Sequence, residues 1–274
     1  VGQSLALAAA RSVLNPADID WARPSPEAFA LGHSPGGSDA LIEETPVTLV
    51  FNDEVALTLM ATPLQGEELA LGFTLSEGLI ERADEIQELH ALPTGAGLSV
   101  LISLPEARMA PLRARRRFGA APGGCGLCGI EDQQTLLALP ERALTTLALE
   151  DGAIARALQA LPAHQPLNAA TGGAHAAAWC SAAGEILLAT EDVSRHCALD
   201  KLIGLLARTH QDPAQGFVLM SSRASFELVH KAARVGLPAL VAISAPTALA
   251  LRAAQACGLA LYGFAREGRH TRYA

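Results

Sequence analysis

Two cysteines stand three residues apart in the run Gly119-Ala-Ala-Pro-Gly-Gly-Cys125-Gly-Leu-Cys128-Gly129, just behind Arg113, Arg115, Arg116 and Arg117. A thiolate is the nucleophilic form of cysteine, and nearby cations favour it. So much glycine holds neither a helix nor a strand well, so the pair is expected on a mobile loop. Three chemistries compete for it. A four-cysteine zinc site needs a second pair, and Cys180, Cys197 and Cys257 lack that spacing. A thioredoxin-like dithiol should open a helix after a strand, which Gly129 and the flanking glycines do not suit. The third is a thiol on a swinging loop that carries a group between partners. A solvated basic linker is the plain alternative.

A second set of polar residues falls where strands end. Thr190-Glu-Asp-Val-Ser-Arg195-His196, Ser221-Ser222-Arg223, Ser244-Ala-Pro-Thr247 and Ala265-Arg266-Glu267-Gly268-Arg269 each follow an apolar run. Ligands of open α/β sheets bind outside the carboxyl ends of the strands. A hydroxyl at a helix start caps free N–H groups, and those groups cradle phosphate when an arginine is near. Taken singly, Ser221, Ser222 and Ser244 read as N-caps. Four such loops on one edge, three with arginines, point to an anionic ligand. Thr171-Gly-Gly-Ala-His175 leads into another strand, and its glycine pair lets backbone approach a ligand. His196, beside Arg195 at a helix start, is expected as a neutral imidazole. Asp200 and Lys201 read as surface charges.

The elements that must position these residues follow from periodicity. Residues 1–40 have no clean period and read as a loose extension, with room for one short helix. Val47–Phe51 and Val55–Met60 flank Asn52-Asp53 as a hairpin. Leu69, Phe73, Leu75, Leu79 and Ile80 mark an amphipathic helix over 66–80. Strands are predicted over 86–92 and 98–104. In the C-terminal half, strands over 174–180, 185–189, 216–220, 239–243 and 259–264 alternate with helices over 196–208, 223–235 and 246–257. Such alternation means βαβ units and a largely parallel sheet. The predicted division is an extension over 1–40, a small α+β domain over 41–118, a flexible CxxC loop over 119–130 and an α/β domain over 131–274.

Composition narrows the function classes. Half of the 274 residues are apolar and 18% are charged, which excludes a largely disordered chain. The net charge of -8 disfavours nucleic-acid binding. Five cysteines are too few and too scattered for a disulfide scaffold and suit a reducing compartment. No run reaches the length and apolarity of a membrane span, and a cytoplasmic protein is expected.

The ordered motifs resemble those of the FdhD family of sulfur carrier proteins required for formate dehydrogenase activity. Cys125-Gly-Leu-Cys128-Gly, Thr171-Gly-Gly-Ala-His175, Glu191-Asp-Val-Ser-Arg-His196-Cys-Ala-Leu-Asp-Lys-Leu-Ile-Gly204, Ser221-Ser-Arg-Ala-Ser-Phe-Glu227, Ser244-Ala-Pro-Thr247 and Gly263-Phe-Ala-Arg266 occur in that sequence. Met60-Ala-Thr-Pro63 and Leu71-Gly-Phe-Thr-Leu-Ser-Glu-Gly78 look like the family's N-terminal part, so the likeness spans roughly residues 43–269.

The resemblance implies a cytidine-deaminase-like α/β core with a mixed, largely parallel sheet, a smaller α+β N-terminal domain and a homodimer. It implies a sulfurtransferase-type carrier that takes persulfide sulfur from a cysteine desulfurase. The sulfur passes to the molybdenum cofactor, bis-molybdopterin guanine dinucleotide, for formate dehydrogenase. By motif position Cys125 would bear the persulfide, with Cys128 its companion. Phe264, Ala265, Arg266, Glu267, Gly268 and Arg269 would bind the cofactor, beside Ser221, Ser222, Arg223, Ser244, Thr247 and His175. No zinc or other metal site is implied, and no nucleic-acid or membrane partner. The alternative is a non-catalytic chaperone for the same cofactor. Two stretches depart from the family pattern: Ser194-Arg-His-Cys197 stands for Gly-Arg-His-Asn, and Ala174 for a threonine. Deaminase chemistry is not expected, because Ala176 and Ala177 follow His175 where a zinc deaminase needs H-x-E.

Overall fold

The computed structural model describes residues 29–34, 37–116, 137–266 and 268–274. Cys125, Cys128, Arg117 and Glu267 lie outside the described residues. Strands β1 (Phe29–Ser34) and β2 (Gly37–Ile42) pair antiparallel, so the segment read as a loose extension contains a hairpin.

The first sheet grows from the Asn52-Asp53 turn. Both residues take positive φ, 48° and 56°, which is the backbone of a tight two-residue hairpin. They join β3 (Thr45–Phe51) to β4 (Val55–Ala61). The Asn52 side chain also clamps Leu104, donating to its carbonyl at 2.9 Å and accepting from its N–H at 2.7 Å. That fixes the exit of β6 (Gly97–Ser103), which lies parallel to β3 and antiparallel to β5 (Glu88–Thr94). Val47, Leu49 and Phe51 point to one face, where α1 (Gly66–Ser76) and α2 (Met109–Arg116) cover them with Leu69, Phe73, Met109 and Leu112.

The second sheet has the order β12-β11-β10-β9-β7-β8. Its strands are β7 (His175–Ser181), β8 (Ile186–Asp192), β9 (Gly216–Met220), β10 (Ala239–Ala242), β11 (Ala260–Arg266) and β12 (Arg269–Arg272). It is mixed, as expected, but not largely parallel: β7–β8 and β11–β12 join as antiparallel hairpins and not by a crossover helix. Parallel pairing is confined to β9–β10–β11, while β7 runs antiparallel to β8 and β9, and β12 antiparallel to β11. Every residue of β9 and β10 is buried, because helices cover both faces. On one side pack α5 (Arg195–Arg208), α6 (Phe226–Val235) and α7 (Ala248–Cys257). On the other packs α3 (Ala153–Ala160), with α4 (Pro166–Thr171) following it.

The two sheets meet through α1 and α5. Gly72 lies against the Asp200 carbonyl and Gly204 against that of Glu68, so close that a Cβ at either position would overlap backbone. Beside this crossing Arg208 pairs with Glu67 at 2.9 Å and Glu68 at 2.8 Å. We predict that Gly204→Val is destabilised by several kcal/mol, read as a lower urea midpoint, because the helices must separate to admit it.

The element boundaries differ from the sequence reading in instructive places. Helix α6 starts at Phe226, not Arg223, and α7 at Ala248, not Pro246. Residues 221–225 and 244–247 stay outside the helices, joined by a parallel bridge between Ala224 and Pro246. Strand β12 was not expected, since Arg-His-Thr-Arg is exposed throughout and shows no apolar alternation.

Candidate functional site

The carboxyl ends of β9, β10 and β11 form one stepped edge. Ser244 N–H donates to the Ser222 carbonyl at 3.4 Å, Phe264 N–H to the Ser244 carbonyl at 3.1 Å, and Thr247 N–H to the Ala224 carbonyl at 2.9 Å. These bonds place Ser221–Arg223, Ser244–Thr247 and Phe264–Arg266 side by side. At one end Ser221 locks onto β7: its hydroxyl accepts from Ala176 N–H at 2.8 Å. His175, the first residue of β7, is half-buried there and pairs across the strands with Asp192.

The residues expected to bind the cofactor divide into two groups. Arg223, Thr247, Phe264, Arg266, Gly268 and Arg269 are exposed on or next to this edge, and Ser244 is partly so. Ser222 is buried and spends its hydroxyl on the Arg223 carbonyl at 3.1 Å. Ala265 is fully buried and belongs to the core under the edge, because its side chain alternates away from those of Phe264 and Arg266. Among the hydroxyls, Thr247 is a helix cap, accepting from Ala250 N–H at 3.1 Å. Ser221, Ser222 and Ser244 are not N-caps; Ser225 holds that position on α6.

Phe264 is 41% exposed, has φ of +50°, and carries Arg266 at 6.0 Å from its ring centre. A bulky non-glycine residue in the left-handed region stores about 1–3 kcal/mol, and such strain clusters at functional sites. Here it turns an aromatic face and a guanidinium outward together. Gly263 makes this possible, since a Cβ there would run into the Pro246 ring.

Behind the edge lies a buried polar layer that sequence reasoning missed. Asp192 and Lys201 are fully buried and pair at 2.6 Å. Asp192 also accepts from Thr62 N–H and Oγ1–H and from Ser194 N–H, while Lys201 donates to the Thr62 carbonyl and hydroxyl. Asp200 and Lys231 form a second pair at 3.0 Å, with Ser76 and Glu77 completing the shell of Lys231. Burial alone would lower the Lys231 pKa, but the carboxylates of Asp200 and Glu77 raise it. Asp200 and Lys201 are therefore not surface charges. The signal that could have revealed them was their place inside an otherwise apolar helix, Ala198 to Leu206.

His196 is 7% exposed on the first turn of α5, and burial, Arg195 and Lys231 push its pKa down to about 4. An unfolded chain takes up this proton near pH 6.5, whereas the folded ring refuses it until pH is about 4. Stability contributed by the neutral ring is thus present above pH 6.5 and lost as pH falls through this window, by up to about 3 kcal/mol. We predict that urea unfolding at pH 7 and pH 4.5 differs less for His196→Gln than for wild type.

The three described cysteines do not suit sulfur chemistry. Burial raises the pKa of each, with Asp192 and Asp200 helping to push Cys197 up to about 12. Cys197 packs into the first sheet's core, facing the Met60 carbonyl at 3.8 Å. Among the described residues, no group of three or more His, Cys, Asp or Glu is placed to hold a metal. No described helix is long and apolar enough to cross a membrane. A cleft of about 910 Å3 at the opposite ends of the helices, with Leu75, Arg142, His210 and Arg234 in its walls, contains none of the edge residues.

Residues 42–274 match the FdhD/NarQ family. The chain belongs to this family. A sulfur carrier protein FdhD from Burkholderia cenocepacia is 44% identical over 275 residues, covering 95% of this chain and 99% of its own. Those from Chromobacterium violaceum and Burkholderia mallei are 48% and 46% identical, each covering 86% of this chain and 88% of theirs. The fold is that of a candidate formate dehydrogenase accessory protein from Desulfotalea psychrophila, whose crystal structure aligns with a TM-score of 0.69 at 23% identity, covering 89% of this chain and 94% of that one.

Proposed function

We propose that this FdhD/NarQ-family chain is a sulfur carrier, receiving persulfide sulfur on Cys125 from a cysteine desulfurase. It passes the sulfur to a guanine-dinucleotide molybdenum cofactor, its cargo, for a formate dehydrogenase, and works as a homodimer. The family match and the relatives' shared name support the carrier role. The observation that carries the cargo reading is the stepped edge at the ends of β9, β10 and β11. It offers an outward aromatic face at Phe264 beside the cations Arg223, Arg266 and Arg269, which is the chemistry a guanine and its phosphates require.

Calorimetric titration of GDP, a fragment of that cargo, tests the edge. Binding to wild type is expected, with Arg266→Ala weakening it roughly 10- to 150-fold for one lost charge-assisted contact. Equal affinity for both, or no binding at all, contradicts the assignment.

A further inference from the structure

The cleft of about 910 Å3 away from the nucleotide edge is walled by four stretches of chain. Leu75 and Ile80 come from the end of α1 and the turn after it, Leu206 and His210 from α5 and the turn after it, and Arg234 and Val235 from the last turn of α6. The fourth stretch, Pro140 to Arg142, belongs to no helix or strand. Two guanidinium groups line this one cleft. Arg142 Nη1 donates to the Arg234 carbonyl at 3.4 Å, so both arginines meet at the C-terminal turn of α6. Each lies on a glycine: a Cβ on Gly78 would come 3.2 Å from Arg234 Cζ, and one on Gly236 would come 2.9 Å from Arg142 Cζ. Contact with a glycine leaves the N–H groups unspent, and a guanidinium carries five of them. Among the described residues the 3.4 Å bond is the one hydrogen bond that either group makes, and neither has a carboxylate within ion-pair distance. Neighbouring arginines differ: Arg82 pairs with Asp84, Arg108 with Glu85 at 2.7 Å and Arg208 with Glu67 at 2.9 Å. The helix dipole favours a cation at a helix C-terminus, which explains why arginines stand here but not why both lack a carboxylate.

We propose that this cleft docks an extended segment of a partner protein that presents a carboxylate side chain between apolar ones. The proposal is independent of the nucleotide edge and of the carrier reading. A guanidinium fork matches the two oxygens of a carboxylate, and Arg142 and Arg234 supply that recognition. The apolar neighbours of the carboxylate cover Leu75, Ile80, Leu206 and Val235. The walls also choose among anions. Glu81, Glu141 and Asp212 line the cleft, and α1, α5 and α6 all end at it, which adds the negative ends of three helix dipoles. Such surroundings penalise a phosphate dianion more than a single carboxylate. No Phe, Tyr or Trp lines the cleft, so a nucleotide base finds no stacking face there. A free carboxylic acid shares the carboxylate chemistry, but walls drawn from four stretches of chain suit an extended segment better than a small molecule.

The test uses the full chain with isotope-labelled arginine, and the arginine Nε–H signals are followed by NMR. The probe is the capped peptide acetyl-Ala-Leu-Glu-Leu-Ala amide, with its glutamine counterpart, hexanoate and inorganic phosphate titrated separately. The glutamate peptide is expected to shift the Arg142 and Arg234 signals saturably. Binding should be roughly 10- to 150-fold weaker for the glutamine peptide, and equally for the glutamate peptide to Arg142→Gln or Arg234→Gln, the worth of one charge-assisted contact. Hexanoate and phosphate should bind more weakly than the glutamate peptide. No shift with that peptide, equal affinity for the glutamate and glutamine peptides, or unchanged affinity in both variants overturns the proposal. Hexanoate or phosphate binding as tightly as the peptide also overturns it, by assigning the cleft to a small anion. Arg142 is exposed, so Arg142→Gln reports even if Arg234→Gln fails to fold.

Discussion

A chain carrying Cys125→Ala should fold normally and fail to support formate dehydrogenase in cells that lack their own carrier. The expected loss is near complete. Among the described residues no thiol is suited to take over, because burial keeps Cys180 and Cys197 protonated and raises the pKa of half-buried Cys257 as well. A thiol that stays protonated is a poor acceptor of sulfur. Folding should be unaffected, since the glycine-rich run around Cys125 offers little apolar surface to a core. A chaperone that only sheltered the cofactor would keep its activity in this variant. Complementation with Cys125→Ala, beside a urea melt of the purified protein, separates the two.

The second large effect belongs to the buried layer. Lys231→Met should destabilise the protein by about 3–5 kcal/mol at pH 7, a large part of the 5–15 kcal/mol typical of a folded protein. Lys231 is the cation facing Asp200 and Glu77, whose side chains are 1% and 5% exposed. Without it the buried Asp200 carboxylate loses the cation that faces it. The sign with pH follows. Burial raises the Asp200 pKa, and Lys231 works against that rise, so in the variant acidification protonates Asp200 in the folded state first and relieves the penalty. Urea midpoints for wild type and Lys231→Met should therefore lie further apart at pH 7 than at pH 5. An equal gap at both pH values would mean that Lys231 contributes packing, not charge.

How much was legible depended on the signal each residue carries. Apolar alternation marked β3 and β4, a continuous apolar run marked β9, and Asn52-Asp53 announced its own turn, because these patterns are local. The edge loops were legible for the same reason: serines and arginines directly after apolar strands have few structural uses. Which of their side chains face outward was not. Ala265 and Ser222 turn inward through strand alternation, which fails to show until the register of β9, β10 and β11 is fixed. The pairs Asp192–Lys201 and Asp200–Lys231 were illegible because each needs a partner from another element, and Thr62, Ser76 and Glu77 are over a hundred residues away from most of them. Helix starts were read three and two residues early at α6 and α7, since Ser221–Ser225 and Pro246-Thr247 are good cap chemistry, and the Ala224–Pro246 bridge and the bonds between the neighbouring loops hold them out of the helices.

The central claim is that sulfur travels on Cys125. The full chain is incubated with a cysteine desulfurase and L-cysteine, digested without reductant, and its peptides are weighed. The mass of one extra sulfur atom should appear on the peptide that holds Cys125. Extra sulfur found only on peptides with Cys180, Cys197 or Cys257 would contradict the account.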